Sequence, residues 1–82
     1  MAWRRWQISW SRSGVWAIER VPWREACRID AAVQRFATTG EGQLERLKSD
    51  PVGAVLVVHP YLVRLTLDRE GKTLTVWWVY RS

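Results

Sequence analysis

Between Tyr61 and Asp68 the chain alternates, with Tyr61, Val63, Leu65 and Leu67 on one side and Leu62, Arg64, Thr66 and Asp68 on the other. A period of two is the pattern of a strand with one dry face. Residues 73–81 carry a similar pattern, and residues 69–72 have the length and composition of a hairpin loop. With that loop, Leu67 pairs with Leu74, Leu65 with Val76, Val63 with Trp78 and Tyr61 with Tyr80, all on the dry face. The same register sets Arg64 opposite Trp77 and Thr66 opposite Thr75, and leaves Arg81 on the second face at the far end. Residues 54–59 form a third strand, joined to the others through Pro60.

Upstream, Trp6, Ile8 and Trp10 alternate with Gln7 and Ser9, which predicts a first strand over residues 6–10. Ser11 or Ser13 can cap a helix that starts near Gly14 and carries Val15, Trp16, Ile18 and Val21. Pro22 interrupts that helix. Because proline suits the first turn of a helix, a second one is expected over residues 22–38. Ala26, Ile29, Val33, Phe36 and Ala37 then share one face, and Arg24, Arg28 and Arg35 point away from it. Gly40 and Gly42 supply its stop. Residues 44–48 read as at most a short helical turn with Leu44 and Leu47 inward, and residues 49–53 as turn chemistry. The expectation is one α+β domain over residues 1–82: an N-terminal strand, a helical hairpin and a three-stranded antiparallel meander, with the helices on one face of the sheet. Trp6, Trp10, Trp16 and Trp78 are expected in its core.

At 82 residues the chain is short for a hydrophobic core, and seven tryptophans raise the apolar area available per residue. Cys27 is the lone cysteine, so no internal disulfide forms, and a cytoplasmic, reducing location is expected. Its place in the second helix predicts a small packing residue. One histidine and one cysteine make no zinc set, and nothing calls for a cofactor. No apolar run approaches the roughly 20 residues of a membrane span, and no signal peptide is expected after Arg4 and Arg5. Glycine-rich phosphate loops, serine elbows and paired-carboxylate motifs are absent, which removes phosphotransfer, acyl-transfer and glycosidase readings.

Charge narrows the partners. The formal net charge is +5, and 11 of the 13 basic residues are arginines. Arginine pairs bidentately with phosphate or carboxylate and stacks on rings, so polyanions and acidic partners are favoured. In the register above, Arg64 and Arg81 share one sheet face, where two guanidiniums can hold adjacent phosphates and stabilise charge on a cleaved phosphodiester. Trp77 lies between them in projection, placed to stack a base or to lie under Arg64. His59, the only imidazole, precedes Pro60 at a tight turn and is the candidate acid or base. Val55, Val57, Trp77 and Val79 lie with Arg64 on this mixed face, which therefore suits an acidic, partly disordered partner.

Taken in order, four features resemble the RelE/ParE toxin superfamily. They are the run 6–11 (Trp-Gln-Ile-Ser-Trp-Ser), the helices split at Val21 and Pro22, the stretch 44–51 (Leu-Glu-Arg-Leu-Lys-Ser-Asp-Pro), and a hairpin with Arg64 in one strand and Arg81 closing the next. The resemblance covers nearly the whole chain. It implies a small bacterial toxin of a type II toxin–antitoxin pair, neutralised by an acidic cognate antitoxin and oligomerised through it. Members cleave messenger RNA on the ribosome or poison DNA gyrase. Arg64 and Arg81 match basic positions of the family pattern, in keeping with the catalytic and RNA-binding roles read for them from the register. Ribosome-dependent members usually continue with further basic residues and an aromatic or histidine, whereas this sequence ends at Ser82. The expected function is a toxin that inhibits translation by ribosome-dependent cleavage. Gyrase inhibition and a non-toxic basic nucleic-acid- or protein-binding module are the alternatives.

Overall fold

A five-stranded sheet of order β1-β5-β4-β3-β2 carries the domain in the computed structural model, which describes residues 3–82. Its elements are β1 (Gln7–Trp10), α1 (Arg12–Glu19), α2 (Trp23–Thr39), β2 (Gln43–Arg46), β3 (Gly53–Val58), β4 (Tyr61–Asp68) and β5 (Thr73–Arg81). Strands β2 to β5 form an antiparallel meander, and β1 closes the other edge by pairing parallel to β5. The α+β class and the element order agree with the sequence reading. The meander is one strand longer than expected, because residues 43–46 are extended instead of helical. Four residues are too few to meet the cost of helix nucleation. The open edge of β3 meanwhile offers their backbone groups partners, with Leu44 opposite Leu56.

Helix α2 covers the dry face as its periodicity predicts. Ile29, Val33, Phe36 and Ala37 pack in one cluster with Leu56, Val63, Leu65, Leu74 and Val76 from the sheet. Burial of each large aliphatic side chain contributes roughly 1.5–3 kcal/mol. Gly40 ends α2 in the left-handed conformation at φ 78°, its N–H donating to Phe36 O at 2.8 Å. Cys27 does not pack inside; it is exposed on α2.

Helix α1 departs from expectation in the face it buries. Gly14 and Ala17 are buried, and Val15 and Trp16 are exposed. The helix lies against the edge of β5 just beyond the end of β1, so close that a Cβ on Gly14 would collide with the carbonyl oxygen of Val76. Only small residues fit there. Ser11 caps the helix by accepting from Gly14 N–H at 3.0 Å, and its hydroxyl donates to Val76 O at 2.8 Å. Ser13 donates to Trp77 O at 2.8 Å.

Those two serines satisfy carbonyls at an irregularity that the sequence register misses. Leu67–Leu74, Thr66–Thr75 and Leu65–Val76 pair as expected, but a β-bulge follows, and Arg64 then faces Trp78, Val63 faces Val79 and Tyr61 faces Arg81. One extra residue in β5 shifts the alternation by one place. As a result Val79 enters the core, while Trp78 and Tyr80 leave it at 38% and 40% exposure. Trp6 is buried as expected; Trp10 is only half-buried at the core's margin, and Trp16 and Trp78 do not belong to the core.

Candidate functional site

On the sheet face away from α2, pairing aligns two cross-strand rows. One contains Gln43, Val57, Leu62 and Tyr80; the other contains Glu45, Val55, Arg64 and Trp78. Trp77 reaches the same face and donates its indole N–H to Thr66 Oγ1 at 2.8 Å. The bulge therefore presents two adjacent tryptophans on one side, which a regular strand cannot do.

At the rim of this face a ladder of rings and charge forms. Trp16 from α1 stacks on Trp78 with centroids 5.5 Å apart and planes 18° from parallel. The Arg20 guanidinium carbon sits 3.4 Å from the Trp16 centroid, and Arg20 also donates to Trp16 O at 3.0 Å. Such a cation–π contact contributes about 0.5–1 kcal/mol at an exposed site. Ser11, Arg12, Ser13 and Trp77 complete an open hollow of about 580 Å³ beside the stack. Trp16 and Arg20 are four residues apart, which is the helical spacing that brings side chains together. That spacing was the sequence signal for the ladder.

The predicted site residues fall into two groups. Arg64 is exposed on the outer face, opposite Trp78 instead of Trp77. Val55 is buried there between Glu45 and Arg64, and Val57 is half-buried. Val79 is not on this face, because the bulge turns it into the core. Arg81 is likewise displaced: it pairs with Tyr61, on the core side of the sheet, three positions beyond Trp78. Three strand residues span about 10 Å, so Arg64 and Arg81 do not form one constellation. Instead, Ser82 N–H donates to Pro60 O at 2.9 Å and holds the end of β5 beside the turn that carries His59. Arg28 anchors that turn from α2, donating to His59 O and to Glu25 Oε2, both at 2.8 Å. His59, Arg81 and Arg28 thus gather at one end of the sheet, and Arg64 with the tryptophans lies along its outer face.

Glu45, Tyr80, Trp78 and Trp16 are outer-face or rim residues that the sequence reading put elsewhere. From the sequence Glu45 reads as part of a helical turn, and the other three as core. The two consecutive tryptophans of β5 carry no signal of the change, since regular alternation already exposes one and buries the other.

No protein-family model matches the chain, and no curated protein does. Among solved structures it is similar to a chain in the crystal structure of the toxin–antitoxin complex RelBE2 from Mycobacterium tuberculosis. The likeness covers 95% of this chain and 92% of that one, with a TM-score of 0.73 and 15% sequence identity. At that identity it is a likeness of fold.

Proposed function

We propose that this chain is the toxin of a type II toxin–antitoxin pair, held inactive by an acidic antitoxin segment and acting in the cytoplasm by ribosome-dependent cleavage of messenger RNA. The observation that carries this reading is the near full-length likeness of fold to a chain of a toxin–antitoxin complex. The outer face suits the partner. Exposed aromatics and arginine are the side chains that dominate interface cores. An acidic segment laid across Val57, Leu62, Arg64, Trp77 and Trp78 covers apolar surface and sets carboxylates against Arg64 and Arg20. That complements a chain of formal net charge +5.

RNA cleavage by attack of a 2′-oxygen on the adjacent phosphorus needs a proton acceptor, stabilisation of phosphoryl charge and a donor for the leaving oxygen. On the outer face Arg64 fits the second role. Glu45, in the same cross-strand row, fits the first, and the hydroxyl of Tyr80 in the neighbouring row fits the third. His59 and Arg81 then hold the RNA backbone at the end of the sheet instead of sharing the chemical step. Gyrase inhibition is the second reading, favoured by the Arg20–Trp16–Trp78 ladder, whose composition suits a protein surface.

The test is expression alone and together with any small reading frame found beside the gene that encodes an acidic amphipathic tail, with messenger RNA cleavage on ribosomes and gyrase supercoiling measured on one preparation. Growth arrest relieved by the neighbour, together with ribosome-dependent cleavage, is the expected result. Supercoiling inhibition without cleavage selects gyrase. Unaffected growth with both targets untouched leaves the non-toxic binding module.

A further inference from the structure

A second concavity lies on the α2 side of the sheet, at the end where α2 stops. It encloses about 730 Å³, within the roughly 300–1,000 Å³ of small-ligand sites. Trp3, Trp6 and Phe36 make its wall. Trp3 stacks on Trp6 with centroids 6.1 Å apart and meets Phe36 edge-on at 5.7 Å, yet it keeps 42% of its surface exposed. The Trp3 indole N–H donates to Ala37 O at 3.0 Å, which fixes the ring. Gly40 allows that placement, because a Cβ there would lie 2.6 Å from Trp3 Cε3.

The rim is cationic. Arg4, Arg46, Arg69 and Lys72 line the cavity, and no acidic residue among the described residues does. The ion pairs among the described residues are Arg28–Glu25 and Arg35–Glu41, so none of these four charges is neutralised by pairing. Lys72 is set in place by its backbone. It occupies the left-handed region at φ 50°, its carbonyl accepts from Gln7 N–H at 2.8 Å, and its Nζ stands 5.5 Å from the Trp6 centroid. A non-glycine residue in that conformation is uncommon, and here it aims an ammonium at an aromatic wall.

We infer that this cavity binds a nucleotide unit of single-stranded nucleic acid, its base packed on the exposed part of Trp3 and its phosphates held by Arg46, Arg69 and Lys72. Aromatic platforms within a cationic groove are the means by which single strands are held without sequence readout. Guanidiniums match phosphate oxygens bidentately, so a rim rich in arginine favours phosphodiesters. An acidic peptide offers carboxylates and leaves the ring surface unused. The site lies on the opposite side of the sheet from Arg64 and does not depend on the toxin reading.

Fluorescence anisotropy with labelled oligo-uridine and oligo-thymidine dodecamers on the full chain tests it. Binding should weaken as salt rises, and Arg69→Glu and Lys72→Glu should each reduce affinity by roughly tenfold or more. Trp3→Ala should reduce it by about 5- to 100-fold, whereas Arg24→Glu, on the exposed side of α2 and away from the cavity, should change it by less than about twofold. Equal binding of both dodecamers assigns the shared phosphodiester chemistry, and preference for either assigns the source. Circular dichroism monitors folding; should Trp3→Ala unfold, the two charge reversals decide alone. Loss of binding in Arg64→Glu with Arg69→Glu and Lys72→Glu unchanged overturns the proposal. So does competition by poly-glutamate equal to that of unlabelled oligonucleotide.

Discussion

The two faces of the sheet are built by the same strands and yet differ in kind. Toward α2, Leu56, Val63, Leu65, Leu74 and Val76 are essentially sealed from water by one another and by Ile29 and Val33. On the other side Arg64, Trp77, Trp78 and Tyr80 stand exposed. The contrast teaches that ring size did not select the core. Aliphatic side chains fill the layer between sheet and helix in compact rotamers, and tryptophans collect where a flat, amphipathic surface meets something else. The outer face keeps apolar area in contact with water, and the proposed function assigns that area to a partner.

If that division is right, damage to the two faces must have very different costs. Leu65→Ala opens a cavity in a site with no exposure, and a loss of about 2–5 kcal/mol is expected from urea unfolding. Gly14→Ala comes next. Its methyl group meets the backbone of β5 at Val76, which cannot rotate away as a side chain could, so about 1–3 kcal/mol should be lost. The same variant should push α1 off the strand edge and weaken the Trp16–Trp78 stack, visible as a change in near-ultraviolet circular dichroism. Trp78→Ala should cost about 1–2 kcal/mol, an aromatic pair plus part of its apolar area, because more than a third of the residue is already in water. A Trp78→Ala variant as unstable as Leu65→Ala would erase the distinction between the faces.

The legibility of the fold follows the same line. Ile29, Val33, Phe36, Leu65 and Leu74 were readable because burial imposes a period, 3.6 on the helix and 2 on the strand, and each residue confirms its neighbours. The helix stop at Gly40 and the loop 69–72 were readable from local turn chemistry. What escaped depends on partners distant in sequence. The bulge places Trp77 and Trp78 together, and its carbonyls are served by Ser11 and Ser13, more than 60 residues away. Nothing within β5 encodes that contact. The error then spread, since a one-residue slip moved Val79, Tyr80 and Arg81 to the wrong faces at once and joined Arg64 to an arginine it does not accompany. Glu45 was lost for another reason: two leucines three apart fit a helical turn as well as an edge strand, and only the open side of β3 decides between them.

Arg64 sharpens the comparison from the other end, with the smallest expected effect on the fold. Its side chain is exposed, it is in no ion pair among the described residues, and its truncation leaves no cavity. Arg64→Ala should therefore shift unfolding free energy by no more than about 0.5 kcal/mol. Function should respond in the opposite proportion. Under the proposed function the Arg64 guanidinium stabilises phosphoryl charge and is neutralised by an acidic segment, so it is needed in both the free and the bound protein. The variant should relieve growth arrest and bind an acidic partner more weakly, with a thermal midpoint within about 2 °C of wild type when alone and less raised by the partner. Arg64→Lys keeps the charge but loses the planar fork, so an intermediate phenotype would point to bidentate contact and a full rescue to charge alone. If Arg64→Ala leaves growth arrest intact in folded protein while Arg81→Ala removes it, the activity lies at the end of the sheet with His59, and the outer face serves the partner only.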